Sequence, residues 1–311
     1  MKKNYVFAIL TVFIWATMAA VVKLLLADIP NLQALSVSSV FAFVFLLLMN
    51  IKTGAVRQMR TYAAKDYLIM AGLGFLGLFL YTALYYYGIA ELGPQTACIL
   101  NYLWPIMLVI FSAVILKEKL TWVKWVAMLC SFLGIIILSA GNDGASTGNA
   151  WLGMIGCIVA AACYGLFSVL NIKTNYNPNI AMMVMWLTVA VCSAALGLFT
   201  ETWVPVKDVQ WVGLIWLGVV VDAVAYLLWA LALKGTDSTA KIANLAYLTP
   251  FLSLVVSAVV FPEDGIQPRA VIALVFIVGG ILFQSFFESL RKKRSAHSDS
   301  LTNEAQQNEK P

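Results

Sequence analysis

Apolar residues along this chain come in runs about 20 residues long, and polar residues gather in the short gaps between them. Runs of that length match the hydrocarbon thickness of a bilayer for an α-helix, whereas membrane β-strands show about 10 residues of alternation. Ten such runs stand at about 5–26, 33–51, 66–88, 92–115, 121–140, 150–170, 179–200, 210–234, 239–261 and 268–288. The connections are short, so successive helices must run antiparallel. Gly and Pro punctuate them at Pro30, Gly93-Pro94, Gly141–Gly144, Pro178 and Pro262. The longest break, Gly141 to Asn149, is rich in Gly, Ser, Asn and Thr and parts five helices from five. The expected organisation is a first unit over 1–143, a second over 149–290 and a tail over 291–311. Low apolar content in the tail predicts disorder.

Composition agrees with the pattern. The chain is 62% hydrophobic and 11% charged, with a mean hydropathy of +0.88. Soluble domains carry about 25% charged residues, and a water-soluble fold of this composition would expose large apolar patches. Lipid removes that conflict, and the predicted class is an all-α integral membrane protein of ten transmembrane helices. The opening Met1-Lys2-Lys3 could introduce a signal peptide, but the apolar run continues to Leu26, long for one. It reads as a retained first helix.

Charge sets an orientation. With the N-terminus placed in the cytoplasm, 17 of the 20 Lys and Arg fall on the cytoplasmic side. They include Lys52, Arg57, Arg60, Lys65, Lys117, Lys173 and the Arg291–Arg294 cluster. Only Lys207 and Arg269 lie in outer segments, with Lys23 near the outer end of helix 1. This asymmetry predicts ten spans with both termini cytoplasmic and a place in the cytoplasmic (inner) cell membrane. The net charge of +5 follows from that topology and predicts no nucleic-acid partner. The five cysteines all lie in apolar runs without Cys-x-x-Cys spacing, and the single histidine, His297, is in the tail. No metal site and no cofactor are expected.

Sliding the second half back by 145 positions exposes a repeat. Tyr102 meets Tyr247, Pro105 meets Pro250, Ser112 meets Ser257, Glu118 meets Glu263 and Gly134 meets Gly279, without a gap. Five helices per repeat is an odd number, so the second copy enters the membrane from the opposite face. Inverted repeats of this kind are frequent in secondary transporters, whose site lies near the midplane between the halves.

Candidate chemistry falls at that level. Asn101-Tyr102-Leu103-Trp104-Pro105 and Ala246-Tyr247-Leu248-Thr249-Pro250 stand near the middle of helices 4 and 9. Pro105 and Pro250 remove a backbone donor and free a carbonyl four residues back, which in lipid must meet a neighbour or a wet cavity. Tyr81 and Tyr85 share a face of helix 3, while Tyr86 and Tyr87 suit an interface belt. Asp222 lies near the middle of helix 8, where a carboxylate costs roughly 2.5–3.5 kcal/mol on insertion scales. It can hold a substrate ammonium, take up a proton, or pack as a hydrogen-bonded acid.

These motifs resemble the drug/metabolite transporter superfamily in its EamA-type branch, and most of all aromatic amino acid exporters of the YddG kind. The likeness rests on Asn101–Pro105 in helix 4, Ile14-Trp15-Ala16-Thr17-Met18 in helix 1 and Ala246–Pro250 in helix 9. Tyr164-Gly165 and Ala225-Tyr226 fit helices 6 and 8. The resemblance implies a ten-helix basket around a central cavity, walled in part by helices 3, 4, 8 and 9, and amino acid export. It implies a substrate-binding set of Trp15, Tyr81, Thr82, Tyr85, Asn101, Tyr102, Trp104, Tyr164, Tyr226 and Tyr247. Such exporters carry histidine where Thr82 stands and an apolar residue where Asp222 stands, and both departures bear on the substrate. An enzyme would need clustered His, Asp, Glu or Cys at one interface, and a channel a ring of like groups or a filter loop. The sequence has neither. The expectation is a secondary transporter of a small, amino-acid-like molecule working by alternating access, with protons as the candidate coupling ion. The alternative within the same branch is export of a nucleobase, vitamin or drug.

Overall fold

A computed structural model describes residues 2–117, 121–139, 149–233, 245, 248–263 and 265–308. Every regular element among them is a helix. In chain order, apart from the single turn Val56–Met59, they are α1 (Lys2–Leu26), α2 (Asn31–Lys52), α3 (Ala64–Leu92), α4 (Pro94–Ile115), α5 (Trp122–Ser139) and α6 (Ala150–Ile172). Then come α7 (Pro178–Thr200), α8 (Asp208–Ile215 continuing to Leu233), α9 (Thr249–Val260) and α10 (Pro268–Asn308). Among the described residues, eight helices are long and apolar enough to cross a membrane. Two shorter apolar stretches, Trp125–Gly134 within α5 and Thr249–Val260, stand at the fifth and ninth expected positions.

Local chemistry explains the boundaries. Gly93, at φ +78°, ends α3, and Pro94 opens α4 directly after it. The side chain of Asn177 accepts from the backbone N–H of Asn179 and precedes Pro178 at the start of α7. The carboxylate of Glu201, at the end of α7, accepts from the backbone N–H groups of Leu32 and Gln33 at 2.9 and 3.1 Å. It caps the start of α2 from across the molecule and suits the positive end of that helix.

Hydrogen bonds sort the connections between two ends. At one end, Asp28 and Gln33 after α1 meet Lys207 and Val204 before α8, and Gln95 after α3 donates to the carbonyl of Gly265 after α9. At the other, Gln58 and Tyr62 after α2 bond Asn177 after α6. Successive helices are therefore antiparallel, and α1 and its counterpart α6 run in opposite directions. Packing obeys the same exchange of halves. α2 packs on α7 and α5 on α10, each pair being its own counterpart. α3 packs on α6 as α8 packs on α1, and the second part of α4 packs on α6 as α9 packs on α1. This is a bundle of two inverted repeats. Its outward residues are apolar, among them Phe13, Leu68, Val114 and Phe199, as lipid requires.

Three features differ from the sequence reading. Helix 4 is not kinked but broken: it stops at Asn101, turns through Tyr102 and Leu103 and restarts at Trp104. Pro105 then sits in the first turn of the second piece, where a missing N–H costs nothing, and Pro250 does the same in α9. Ala246 and Tyr247 lie outside the described residues. Second, α3 and α8 contain π-helical stretches, Phe75–Leu80 and Trp216–Val224, at corresponding levels. No proline or glycine run signalled them. Third, α10 continues to Asn308, through most of the tail expected to be disordered. No Gly or Pro follows Gly280 until Pro311, so an established helix can extend without a new nucleus.

Close approaches are made by glycines. A Cβ on Gly218 would lie 2.1 Å from the carbonyl oxygen of Ser38, so α8 and α2 touch backbone to backbone just before Asp222. A Cβ on Gly165 would lie 2.7 Å from the backbone nitrogen of Leu108, which brings α6 against the second part of α4. The sequence thus sets two close approaches beside the predicted chemistry.

Candidate functional site

The break in α4, the π stretches of α3 and α8, and the middles of α1 and α6 converge on one group of aromatic side chains. Tyr81, directly after the π stretch of α3, stacks on Tyr85 one turn on, with ring centroids 6.1 Å apart. It also meets Tyr164 of α6 at 4.9 Å. Tyr164 takes Trp104, first residue after the break, edge-on at 5.3 Å. On the other side, Trp15 of α1 meets Tyr226 of α8 edge-on at 5.4 Å and Trp229 at 5.5 Å. Separations of this size suit attractive ring pairs. Tyr226 interacts with Tyr164 through the hydroxyls, so the two sets join.

Tyr81, Trp104, Tyr164, Tyr226 and Trp15 are only half-buried, although they stand in the middle of their helices. Partial accessibility at that depth leaves open space beside these rings. Polar groups enter the same space. The Asn101 amide donates to the Tyr81 hydroxyl at 3.0 Å, while its own Oδ1 is buried without a partner among the described residues. Asp222 is 2% exposed, and its Oδ2 is likewise unpartnered. Tyr81, Tyr86 and Tyr226 all lie within reach of its charge, and no basic side chain does among the described residues. An unpaired buried charge is costly in such surroundings.

Of the expected substrate-binding residues, Trp15, Tyr81, Tyr85, Asn101, Trp104, Tyr164 and Tyr226 come together here. Thr82 is buried beside Tyr81 and adds no ring. Tyr102 is buried in the α4 turn, next to Thr249 of α9. Tyr247 lies outside the described residues. Phe167, 5.7 Å from Tyr164, and Trp229 went unread in the sequence, and Thr249 of the helix 9 motif heads a row of buried hydroxyls with Ser253 and Ser257. Their i, i+4 spacing on α9 was the available signal. Among the described residues no three His, Cys, Asp or Glu side chains gather as metal ligands.

Comparison with known proteins gives this arrangement a family. Residues 2–140 and 151–286 each match the EamA-like transporter family, one match per repeat. The chain belongs to that family: it is a multi-pass membrane transporter, not an enzyme. It is 28% identical over 215 residues to the aromatic amino acid exporter YddG of Ancylobacter novellus, covering 67% of this chain and 72% of the relative. A probable terminal-alkyne amino-acid exporter of Streptantibioticus cattleyicolor is 23% identical over 276 residues, with 88% and 90% covered. The S-adenosylmethionine uptake transporter of Rickettsia prowazekii is 22% identical over 216 residues, with 69% and 70% covered. One solved crystal structure shares the fold with a TM-score of 0.67 at 20% identity, over 91% of this chain and 96% of that one.

Proposed function

We propose that this transporter exports amino acids with apolar or aromatic side chains across the cytoplasmic membrane by alternating access. The observation that carries the reading is the half-accessible ring group of Trp15, Tyr81, Trp104, Tyr164 and Tyr226, with the Asn101 amide and Asp222 at its edge. Rings offer stacking surface to an apolar or aromatic side chain. The amide and the backbone at the α4 break suit the charged ends of a zwitterion, and Asp222 is the proton-carrying group. The likeness to two amino acid exporters supports the same class.

Counterflow in proteoliposomes against a panel of amino acids tests it, together with growth of overproducing cells on toxic aromatic analogues. Uptake of labelled phenylalanine or tryptophan and a gain in resistance are expected. Failure of both would remove the proposal. In the same vesicles, Asp222→Asn is expected to abolish the pH dependence and leave substrate exchange. Weakened binding at every pH would instead assign Asp222 to the substrate ammonium.

A second reading has its own support. The S-adenosylmethionine transporter among the relatives carries a cationic metabolite with an aromatic base, and an acid among rings suits such a ligand too. Competition of S-adenosylmethionine with phenylalanine counterflow separates the two. The Lys/Arg asymmetry supports a cytoplasmic position for both termini. Cysteines at Lys52 and Lys207, which lie at opposite ends of the bundle, should label from opposite sides.

A further inference from the structure

We infer that Thr249, Ser253 and Ser257 of α9 line the outer half of the substrate path, and that Gln95 holds this passage closed against the first part of α4. The inference rests on the alternating access and the orientation proposed above, and not on which molecule is carried.

The three side chains are 4%, 1% and 1% exposed, and none of their hydroxyls has a hydrogen-bond partner among the described residues. Hydroxyls elsewhere in the bundle behave differently. Ser39, Ser168, Thr188 and Ser193 each donate to the carbonyl four residues back, at 2.6, 2.7, 3.0 and 2.6 Å. The same bond is open to Ser257 toward the Ser253 carbonyl, and to Ser253 toward that of Thr249. Neither is made, so these hydroxyls are turned from their own backbone. A buried hydroxyl without a partner is costly in a closed bundle, and the cost disappears once water or a polar solute reaches it.

Placement says where that happens. At i, i+4 spacing the three share one face, and Phe251, Val255 and Val259 on the opposite face are exposed to lipid. The hydroxyl face therefore looks into the bundle, where α9 packs on α1 and on the first part of α4. Thr249 corresponds at the offset of 145 to Trp104, so the row begins at the level of the ring group. Ser257 lies about 12 Å further toward the end that carries Gly265. The counterparts of the row on α4 are Trp104, Leu108 and Ser112, which supply a single hydroxyl, so the row belongs to the outer half alone.

The end of this seam is tied. Gln95, 5% exposed at the start of α4, donates to the carbonyl of Gly265 and accepts from the N–H of Gln267 at 3.5 Å, both beyond the end of α9. One side chain thus hooks α4 to the α9–α10 connection above the row. Lys23 of α1 joins the same end, its Nζ 4.1 Å from the centre of the Phe261 ring. Release of the Gln95 hook frees α9 to part from α4. The hydroxyls, each a donor and an acceptor, then exchange hydrogen bonds with a polar solute and its water as it leaves.

Cysteine accessibility in right-side-out vesicles tests this, using the full chain with its five native cysteines replaced by alanine. Ser253→Cys and Ser257→Cys are expected to react slowly with a membrane-impermeant thiol reagent added outside. Adding Gln95→Leu should raise both rates about tenfold, the worth of two hydrogen bonds. Val255→Cys, on the lipid face, should not respond. Gln95→Glu keeps the size and loses the donor to Gly265, so it should act in the same direction if Gln95→Leu fails to fold. Replacing the three hydroxyl residues together by alanine should leave the melting temperature no lower, because no hydrogen bond within the protein is lost. Rates that Gln95→Leu and Gln95→Glu leave unchanged, reaction from the cytoplasmic side alone, or a melting temperature several degrees lower in the alanine variant would overturn the proposal. If the rates respond while phenylalanine counterflow is absent, the passage stands and the substrate reading falls.

Discussion

The two halves share a scaffold but not a chemistry. Under their exchange, the contact of Tyr164 on α6 with Tyr81 on α3 corresponds to that of Trp15 on α1 with Tyr226 on α8. Both α4 and α9 restart just before a proline, and both α3 and α8 carry a π stretch. The polar groups break this correspondence. At the offset of 145, Asn101 faces Ala246, and Asp222 faces Gly77. At Gly77 the space a side chain would need is filled by the ring of Phe167, whereas at Asp222 a carboxylate occupies the matching position. Repeated features build the common scaffold, and the unrepeated ones give the site a chemical polarity. One half presents an amide and extra rings, the other an acid.

The largest expected effect breaks the scaffold itself. Gly218→Ala would drive a Cβ into the backbone carbonyl of Ser38 at 2.1 Å, a contact that no rotamer relieves. A loss of about 3 kcal/mol is expected, read as a lower melting temperature and a poorer yield of monodisperse protein. Gly72→Ala, with nothing within 4 Å of its Cβ, should be tolerated. Equal behaviour of the two would show that α2 and α8 do not meet as described.

Next in size are the matched rings. If the halves contributed equally to binding, Tyr164→Ala and Trp15→Ala would weaken an aromatic substrate alike. Tyr164 also supports Trp104 and Phe167, so its loss should cost more, about a hundredfold in counterflow affinity against about tenfold for Trp15→Ala. Asn101→Ala should cost about fivefold, the value of one hydrogen bond to Tyr81 plus whatever it gives the substrate. An apolar analogue lacking the carboxylate should lose the Asn101 effect and keep the ring effects, and competition with such an analogue separates the two contributions.

Much of this arrangement was legible in the sequence, for reasons that differ by feature. Span positions follow from hydropathy, because lipid admits so few solutions. The repeat was readable from Tyr and Pro pairs at one offset, and Asp222 from the rarity of a mid-membrane acid. The π stretches were not: Gly74, Gly77 and Gly218 lie in or beside them and pack against α7, α6 and α2, but glycine marks a close approach and not a change of helix type. Tyr86, wholly buried and not at an interface, was misplaced for a related reason. A tyrosine run fixes a face only once the helix phase is known, and the π stretch before it alters that phase. The break in α4 was half-read: proline located it, but whether a helix kinks or restarts depends on what fills the gap.

The smallest expected effect concerns the seam where the halves meet at one end. Lys207 Nζ lies 2.8 Å from Asp28 Oδ2, joining the α7–α8 connection to the α1–α2 connection, and Gln210 donates to the same oxygen at 3.0 Å. The hydrogen bond and charge of Lys207 hold the Asp28 carboxyl below the ordinary carboxylate range. A lowered value in the folded state means that the ionised pair stabilises the fold above the unfolded-state value, about pH 4, and that this contribution disappears as pH falls through the folded value. Both side chains are more than half exposed, at 66% and 52%, so water and salt screen the pair. Asp28→Asn should therefore leave the melting temperature at neutral pH and physiological salt unresolved from the parent. Any difference should emerge only at low ionic strength and vanish below about pH 4. A clear loss of stability in Asp28→Asn at high salt would mean that the two connections are coupled by more than this ion pair. The fixed points at that end would then be the Glu201 cap on α2 and the paired hydrogen bonds between Gln33 and Val204, which tie the same connections through backbone groups.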